Sequence, residues 1–212
     1  MAHDRRARTR ASLLVALQDL LLDRDVSTVS VPQVVAKAGV SQGTFYSYFD
    51  SLPAAVEAVG WLLIGEHMRV LEEVNADASD QAEVVTRTTR QTLTLFATRP
   101  EFGRLLFDSG VSLDGLIVGF RIQLRTDVQR GVDSREFQVS DVDTVCSLFA
   151  GAVIGACMDM YRGRATLDSI PSILEQLLRL LNVDADKVKQ LIDAPQKFVQ
   201  WRALPLCETD VN

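Results

Sequence analysis

The sequence predicts an all-α protein, with a small N-terminal three-helix domain and a larger helical C-terminal domain. Apolar residues recur at helical spacing along almost the whole chain, and the breaks between these stretches carry residues that begin and end helices. No segment shows a convincing strand pattern. Of the 212 residues, 47% are apolar and 24% are charged, which is typical of a globular protein with a sizeable core.

The first helix is predicted from about Arg8 to Leu22, since leucines recur there at helical spacing. A second, short helix begins at Ser30. Ser30 and Gln33 have the spacing of a capping box, and a proline is tolerated in the first turn that follows. Gly39 is expected to end this helix in the left-handed conformation.

A third helix is predicted from Ser41, which can cap it, to about Phe49. Ser51 can cap a long fourth helix, about 52–74, which is apolar on two sides and should therefore be covered on two sides. These limits place the N-terminal domain at residues 1–51 and the C-terminal domain at 52–212.

The C-terminal domain is predicted to contain five more helices and a tail. The helices are expected at about 80–98, 101–109, 113–131, 139–162 and 167–182. One or two short helices and a loose segment should follow from Val183, with Phe198 and Trp201 favouring docking of that segment. The longest apolar run, 145–158, is too short to cross a bilayer and is interpreted as part of a buried core helix.

Charge and cysteine usage narrow the class of protein. The net charge is −6, but four arginines lie among residues 5–10, so a basic arm precedes an acidic body. The three cysteines lack CxxC spacing, which favours a reducing, cytoplasmic compartment over a disulfide framework. No signal peptide or membrane partner is expected.

The third helix has two chemically different sides. At 100° per residue, Phe45, Tyr48 and Phe49 point towards the first two helices, whereas Gly43, Thr44 and Ser47 point away. Tyr46 and Tyr48 flank this small, hydroxyl-rich face. Aromatic residues at such spacing are usually core, and we accept that interpretation for the two phenylalanines.

The exposed side suits the major groove of duplex DNA. Small residues allow close approach, Thr44 offers a hydroxyl and a methyl group to base edges, and Gln42 can read a base as a bidentate amide. Tyrosine hydroxyls, helix N-termini and the basic arm can contact phosphates. The predicted DNA-binding residues are Arg5, Arg6, Ser30, Gln33, Ser41, Gln42, Gly43, Thr44, Tyr46, Ser47 and Tyr48.

The stretch VSVPQVVAKAGVSQGTFYSYFDS resembles the DNA-binding signature of the tetracycline-repressor (TetR) family. The matching positions are Ser30, Ala38, Gly39, Val40, Ser41, Gly43, Thr44, Phe45, Tyr46 and Phe49. The resemblance implies a homodimeric transcriptional regulator, usually a repressor, whose first three helices bind an operator in double-stranded DNA and whose remainder binds a small molecule.

The sequence departs from the family pattern at two positions. Leu52, followed by proline, stands where a lysine often opens the fourth helix, and Pro32 stands where a polar or basic residue is common in the second. Two backbone contacts are therefore expected to be missing, which would weaken non-specific affinity.

The eighth and ninth helices are predicted to form a dimer interface. The eighth is apolar on both sides, and its glycine pair permits close helix approach. These helices could pair with their copies as a four-helix bundle or simply be the central helices of a monomer. The predicted dimer residues are Gly151, Ile154, Gly155, Leu174, Leu177 and Leu178.

The body is expected to hold an apolar effector pocket with a few polar groups. Polar residues interrupt the inward stripes of the fourth and fifth helices, although His67 could equally be a hydrogen-bonded core histidine. The chemistry favours a small hydrophobic effector. The predicted effector-binding residues are Trp61, Leu63, His67, Thr88, Gln91, Phe120 and Phe149.

Other functions have less support. Clustered metal ligands and a glycine-rich loop after a strand are lacking, and Cys157 near Asp159 lacks a histidine partner, so no catalytic site, metal or cofactor is predicted. Redox sensing through Cys146 or Cys157 is disfavoured because both look buried. The main alternative is a helical interaction module of the same fold that has lost DNA binding.

Overall fold

The computed structural model describes residues 2–196 and 198–208, and this part of the chain is helical without strands. The all-α prediction is thereby confirmed. The helices are α1 (Ala2–Asp23), α2 (Val31–Ala38), α3 (Gln42–Tyr46), α4 (Leu52–Asn75), α5 (Gln81–Thr98), α6 (Pro100–Phe107), α7 (Leu113–Asp133), α8 (Val142–Tyr161), α9 (Ile170–Leu180) and α10 (Ala185–Asp193).

The chain divides into two compact units. The first comprises residues 1–69, 101–113 and 201–212, and the second comprises 70–100 and 114–200. The predicted domain boundary at residue 51 lies inside the first unit, because part of α4, α6 and the end of the chain pack with the N-terminal helices. The terminal residues 209–212 of the predicted tail lie outside the described part.

Capping residues set the helix ends in the first unit. The Gln33 Oε1 atom accepts hydrogen bonds from the backbone N–H (2.9 Å) and hydroxyl (3.0 Å) of Ser30 at the start of α2. Gly39 ends α2 with φ = 69°, in the left-handed region that favours glycine. The Ser41 hydroxyl accepts from the Thr44 N–H (3.1 Å), and the Ser51 hydroxyl accepts from the Ala54 N–H (3.2 Å). These predicted caps are confirmed.

Helix α1 begins earlier than the sequence pattern predicted. Residues 2–10 continue the helix, so the expected basic arm is helical rather than a separate extended segment. The Arg6 guanidinium lies 5.7 Å from the centre of the Tyr48 ring, and that of Arg10 lies 5.1 Å from the Phe49 ring. Arg10 also forms an ion pair with Glu208. These contacts give the first turns partners that a hydrophobic pattern does not reveal.

Helix α3 is shorter than predicted, since it ends at Tyr46 rather than near Phe49. The Phe49 N–H still donates to the Phe45 carbonyl (3.0 Å), so one hydrogen bond of helical spacing follows the end of α3. The Ser47 hydroxyl donates to the Thr44 carbonyl (2.7 Å) and occupies an acceptor that the helix would otherwise use.

The second unit is built around α5, which packs against α8, α9 and α10. Asp80 caps α5 by accepting from the Glu83 N–H (2.8 Å), and it also pairs with Lys187 of α10 (2.6 Å). Phe137 is 2% exposed and lies directly against Gly131 in α7, where a side chain would overlap its ring. The absence of a side chain at Gly131 therefore permits this packing.

Helix α8 is covered on one side only. Phe149 and Val153 are buried, as predicted, but Leu148 is 56% exposed, and a Cβ added at Gly151 or Gly155 would meet nothing within 4 Å. By length and composition alone this 20-residue helix could cross a membrane, and 28% of an apolar 18-residue stretch within it is buried. The expectation that this helix is buried on both sides was therefore wrong, because apolar character on two sides does not show what covers each side.

Three of the predicted dimer residues are core residues of the second unit. Leu174, Leu177 and Leu178 are 1%, 4% and 1% exposed. Helix α9 packs this leucine stripe against α5, α8 and α10, so these side chains are unavailable to a second subunit in this structure. The assignment of these leucines to a dimer surface is corrected, because the sequence shows which residues share a side but not what covers it.

Candidate nucleic-acid interface and effector residues

Helix α3 presents the face that its sequence predicted. Phe45 and Phe49 are 0% and 5% exposed, and their ring centres lie 5.5 Å apart. Tyr46 is 55% exposed and meets Phe45 edge-on at 5.4 Å. Ser41, Gln42, Gly43 and Ser47 are exposed, and Thr44 and Tyr48 are half-buried. The buried phenyl rings therefore fix the helix while its small and polar residues face outwards.

The hydroxyl groups on this face are partly engaged within the protein. The Ser41 and Thr44 hydroxyls lie 2.9 Å apart and share a hydrogen bond, and Ser47 bonds to the Thr44 carbonyl. A ligand would therefore meet Thr44 mainly through its methyl group, whereas Gln42 and Tyr46 project polar groups from exposed positions.

Residues beside α3 have structural as well as surface roles. Ser30 and Gln33, both half-buried, form the N-terminal cap of α2. Arg5 and Arg6 are exposed on α1, and Arg6 lies over Tyr48. This cation–π contact restrains the tyrosine and places a positive charge beside its phenol.

Sequence reasoning missed three polar side chains that hold the first unit together. Gln18 of α1 and Glu66 of α4 are both 0% exposed, and they accept hydrogen bonds from the backbone N–H groups of Leu206 and Arg202, respectively. Arg104 of α6 donates to the carbonyls of Leu21 (2.9 Å) and Arg24 (2.8 Å), at the end of α1. One sequence feature could have indicated such a role: Gln18 is a polar residue within the leucine stripe of the first helix.

Three predicted effector residues belong to the first unit. Trp61 is 57% exposed and Leu63 is 1% exposed. The His67 ring is stacked on Trp201, with centres 6.0 Å apart and planes inclined by 6°. Burial lowers the pKa of His67 to about 4, against the opposing effect of the Glu66 charge, so the imidazole is neutral at pH 7.

The other four predicted effector residues belong to the second unit. Phe149 is 1% exposed, and Phe120 is half-buried. The Thr88 hydroxyl accepts from the Asn75 amide (2.8 Å). Gln91 is 0% exposed, and its amide exchanges two hydrogen bonds with the Val199 backbone. Its polar atoms are therefore already engaged within the chain.

An open cleft of about 740 Å³ lies in the first unit, between α1 and α2. Asp19, Arg24, Gln33 and Lys37 contribute polar groups to its walls, and Asp19 and Lys37 form an ion pair at 3.1 Å. None of the seven predicted effector residues lines this cleft. Its mixed charge is unlike the mostly apolar pocket that the sequence predicted.

Two family models match the chain. Residues 13–52 match the description "Bacterial regulatory proteins, tetR family", and residues 80–193 match "Tetracyclin repressor-like, C-terminal domain". The first span contains α2 and α3, and the second covers more than half of the chain. A comparison with curated protein sequences finds no match.

Solved structures share the fold. RolR in complex with resorcinol aligns with a TM-score of 0.73 at 22% identity, over 93% of this chain and 100% of that chain. NemR of E. coli, in its reduced form, aligns with a TM-score of 0.65 at 18% identity, over 84% and 99%.

NalD of Pseudomonas aeruginosa, a secondary repressor of the MexAB-OprM efflux pump, has a TM-score of 0.64 at 17% identity, over 84% of this chain and 97% of that chain.

The helix-turn-helix formed by α2 and α3 and the two family matches lead to one assignment. The chain belongs to the TetR family of bacterial transcriptional regulators, with an N-terminal helix-turn-helix region and the family's C-terminal domain.

Proposed function

We propose that this chain is a homodimeric repressor that binds a palindromic operator through α3 and is released by a small hydrophobic effector. The observation that carries the proposal is the two-sided character of α3. Phe45 and Phe49 are buried, whereas Gln42, Tyr46 and Ser47 are exposed together. We propose that the protein has a regulatory rather than a catalytic role and that it acts in the cytoplasm, where the DNA is.

The exposed side of α3 has the chemistry to read a major groove. Gly43 adds no side chain, so the backbone can approach the base edges, and the Thr44 methyl can touch a thymine methyl. Gln42 offers a bidentate amide. Tyr46, Tyr48 and the α1 arginines can bond to phosphates, which fix the orientation of the helix on the duplex.

The exposed side of α8 supports dimerisation. Leu148 lies beside Gly151 and Gly155 along an uncovered, largely apolar helix face. A second copy of the chain would cover this face, and the two glycines would let two copies of α8 approach closely. We favour a second subunit over a membrane because α8 lies within the span matched by the family's C-terminal domain. Of the predicted dimer residues, Gly151, Ile154 and Gly155 are retained in this proposal.

The effector is proposed to be a small, largely apolar molecule. Within the second unit, Phe120 and Phe149 supply apolar surface, whereas Thr88 and Gln91 supply polar groups that now bond within the chain. RolR, a structural neighbour, has been crystallised with resorcinol, a small aromatic ligand. An aromatic effector is consistent with the phenyl rings of Phe120 and Phe149.

Release from DNA is proposed to be a population shift. An effector that binds one state more tightly would move α4 and separate the two α3 helices from half-sites that lie about 34–36 Å apart. A ligand with equal affinity for both states would have no effect, however tightly it bound.

The DNA-binding proposal is tested by titrating the full chain with duplex fragments from beside its own gene at increasing salt. We expect affinity to fall steeply with salt for wild type, because phosphate contacts release counterions. Tyr46→Ala should weaken binding roughly tenfold while circular dichroism stays unchanged. Leu167→Ala is a matched control, since Leu167 is 49% exposed and lies outside the helix-turn-helix. Equal affinities for all three proteins on every bound fragment would contradict the assigned face.

Light scattering after size exclusion tests the dimer. We expect wild type at about twice the 23.4 kDa chain mass and Leu148→Arg at the mass of one chain, because a charge would be buried in the interface. Leu167→Arg should remain dimeric. A wild-type protein at the mass of one chain under micromolar conditions would refute the dimer.

A second candidate, an interaction module that has lost DNA binding, retains some support. Leu52 is half-buried at the start of α4, and Pro32 is exposed in the first turn of α2, so neither offers a charged or hydrogen-bonding side chain to a phosphate. Failure of wild type to bind any duplex at low salt, with the dimer intact, would favour this candidate.

A further inference from the structure

The C-terminal segment, which comprises residues 194–196 and 198–208, is bound at several points by polar side chains. Within the second unit, α5 holds its first part. Arg90 donates to the carbonyl of Ala194 (3.0 Å), and the Gln196 amide donates to that of Arg87 (3.1 Å). The Gln91 amide donates to the Val199 carbonyl (2.8 Å) and accepts from the Val199 N–H (3.4 Å).

Within the first unit, α4 holds the next part. The Glu66 carboxylate accepts from the Arg202 N–H (2.9 Å) and from the Arg202 guanidinium (2.8 and 2.6 Å). Arg69 donates two further hydrogen bonds to the same carboxylate. Trp201 is 9% exposed and is stacked on His67.

The end of the segment is held by α1. The Gln18 amide donates to the Leu206 carbonyl (2.5 Å) and accepts from the Leu206 N–H (2.8 Å). Both residues are buried, at 0% and 1% exposed. Arg10, which lies over the Phe49 ring behind α3, pairs with Glu208. The end of the segment therefore reaches residues that support the DNA-binding face.

These contacts differ from those of an ordinary surface tail. Gln18, Glu66 and Gln91 are each 0% exposed, and each bonds to the backbone of the C-terminal segment. Lifting the segment would leave these three side chains buried without those partners, which is costly. Each anchor therefore disfavours partial release of the segment.

We propose that the C-terminal segment is a strap that transmits the state of the effector-binding region to the DNA-binding unit, with Gln91, Glu66 and Gln18 as its anchors. This inference rests on the proposed function. Gln91 and Thr88 are both predicted effector residues and lie one helical turn apart on α5. An effector that forms hydrogen bonds with the Gln91 amide breaks the two bonds between Gln91 and the Val199 backbone. Because the chain is continuous, the greater mobility of Val199 then extends to Trp201, Arg202 and Leu206.

Amide hydrogen exchange on the full chain, resolved to single residues, tests the strap without DNA or effector. Gln91→Met keeps the length of the side chain and removes both hydrogen bonds to Val199. We expect the amides of Arg202 and Leu206, which bond to Glu66 and Gln18, to exchange about tenfold faster or more in this variant. Unchanged exchange at both amides, with faster exchange confined to 196–200, would overturn the proposal.

Two further variants keep this test decisive. Gln176→Met is the matched control, because Gln176 is exposed on α9 and should leave both amides at their wild-type rates. If Gln91→Met does not fold, Gln196→Met removes the bond to the Arg87 carbonyl at the same end of the strap. Faster exchange at Arg202 and Leu206 is again expected, and its absence in that variant counts against the strap.

A second experiment, which measures dissociation from DNA, tests the regulatory role of the strap. On a duplex bound by wild type, Gln91→Met should dissociate faster and Gln176→Met should not. Equal dissociation rates for the two variants would refute the regulatory role. If wild type binds no duplex, the proposed function fails, whereas the exchange experiment still decides whether the two ends of the strap are coupled.

Discussion

Replacing Arg202 with methionine should destabilise the first unit by about 3 kcal/mol at pH 7. The change removes two guanidinium hydrogen bonds, of 2.8 and 2.6 Å, to a carboxylate that is 0% exposed. Breaking one partner of a buried ion pair costs about 3–5 kcal/mol. We expect the lower end because Arg69 and the Arg202 N–H still bond to Glu66.

The same substitution should change how stability depends on pH. Burial raises the pKa of the Glu66 carboxyl, but hydrogen bonds from Arg69 and Arg202 outweigh burial and lower that pKa from 4.5 to about 2. A carboxyl with a lowered pKa stabilises the fold above its unfolded pKa, and this stabilisation is lost as pH falls through 4.5 towards 2. The difference in unfolding free energy between wild type and Arg202→Met should therefore shrink below pH 4.5.

Urea unfolding followed by Trp201 fluorescence measures both effects, in a Trp61→Phe background and at one protein concentration. Arg179→Met is the control, since Arg179 and Glu175 form an exposed pair at 2.5 Å whose loss should cost under about 0.5 kcal/mol. A cost for Arg202→Met no larger than that of the control, or a cost equal at pH 7 and pH 3, would refute the reasoning.

A pair of glycine substitutions and a thiol reaction test the packing. Gly131→Ala should destabilise the second unit by about 1–3 kcal/mol in thermal unfolding, because its Cβ overlaps the Phe137 ring, whereas Gly119→Ala meets nothing within 4 Å and should stabilise by up to about 1 kcal/mol. A neutral result for Gly131→Ala would contradict the packing. Burial raises the pKa of the Cys157 thiol, so a thiol reagent at pH 8 should modify half-exposed Cys207 well before Cys157 in native protein, and equal rates would contradict the burial.

Local signals predicted the N-terminal helices well. Gly39 and Ser41 act on their immediate neighbours, so the turn between α2 and α3 follows from residue type alone. The burial of Phe45 and the exposure of Gly43 and Ser47 followed from helical spacing. The end of α3 was wrong, because Ser47 bonds to the preceding turn and Phe49 packs from outside the helix. The start of α1 was also wrong, since the helix begins at Ala2.

Tertiary partners were beyond the sequence pattern. Leu174 and Leu148 are both leucines at helical spacing, yet one is 1% and the other 56% exposed. Periodicity shows which residues share a side, but not which side a neighbouring helix covers. The pairing of Glu66 with Arg202 joins residues far apart in the chain, and no local spacing predicts it. Gln91 was selected as a polar interruption of an apolar stripe, but its bond to Val199 was not foreseen.

The central claim is that α3 reads duplex DNA as one half of a symmetric pair. Selection from a random duplex library with the full chain tests it most directly, with Gln42→Ala selected in parallel. We predict a palindrome whose half-sites are centred about one helical turn apart, and relaxed preference in Gln42→Ala at the same position of both half-sites. Enrichment of no sequence, or of an asymmetric site that Gln42→Ala selects equally well, would contradict the claim.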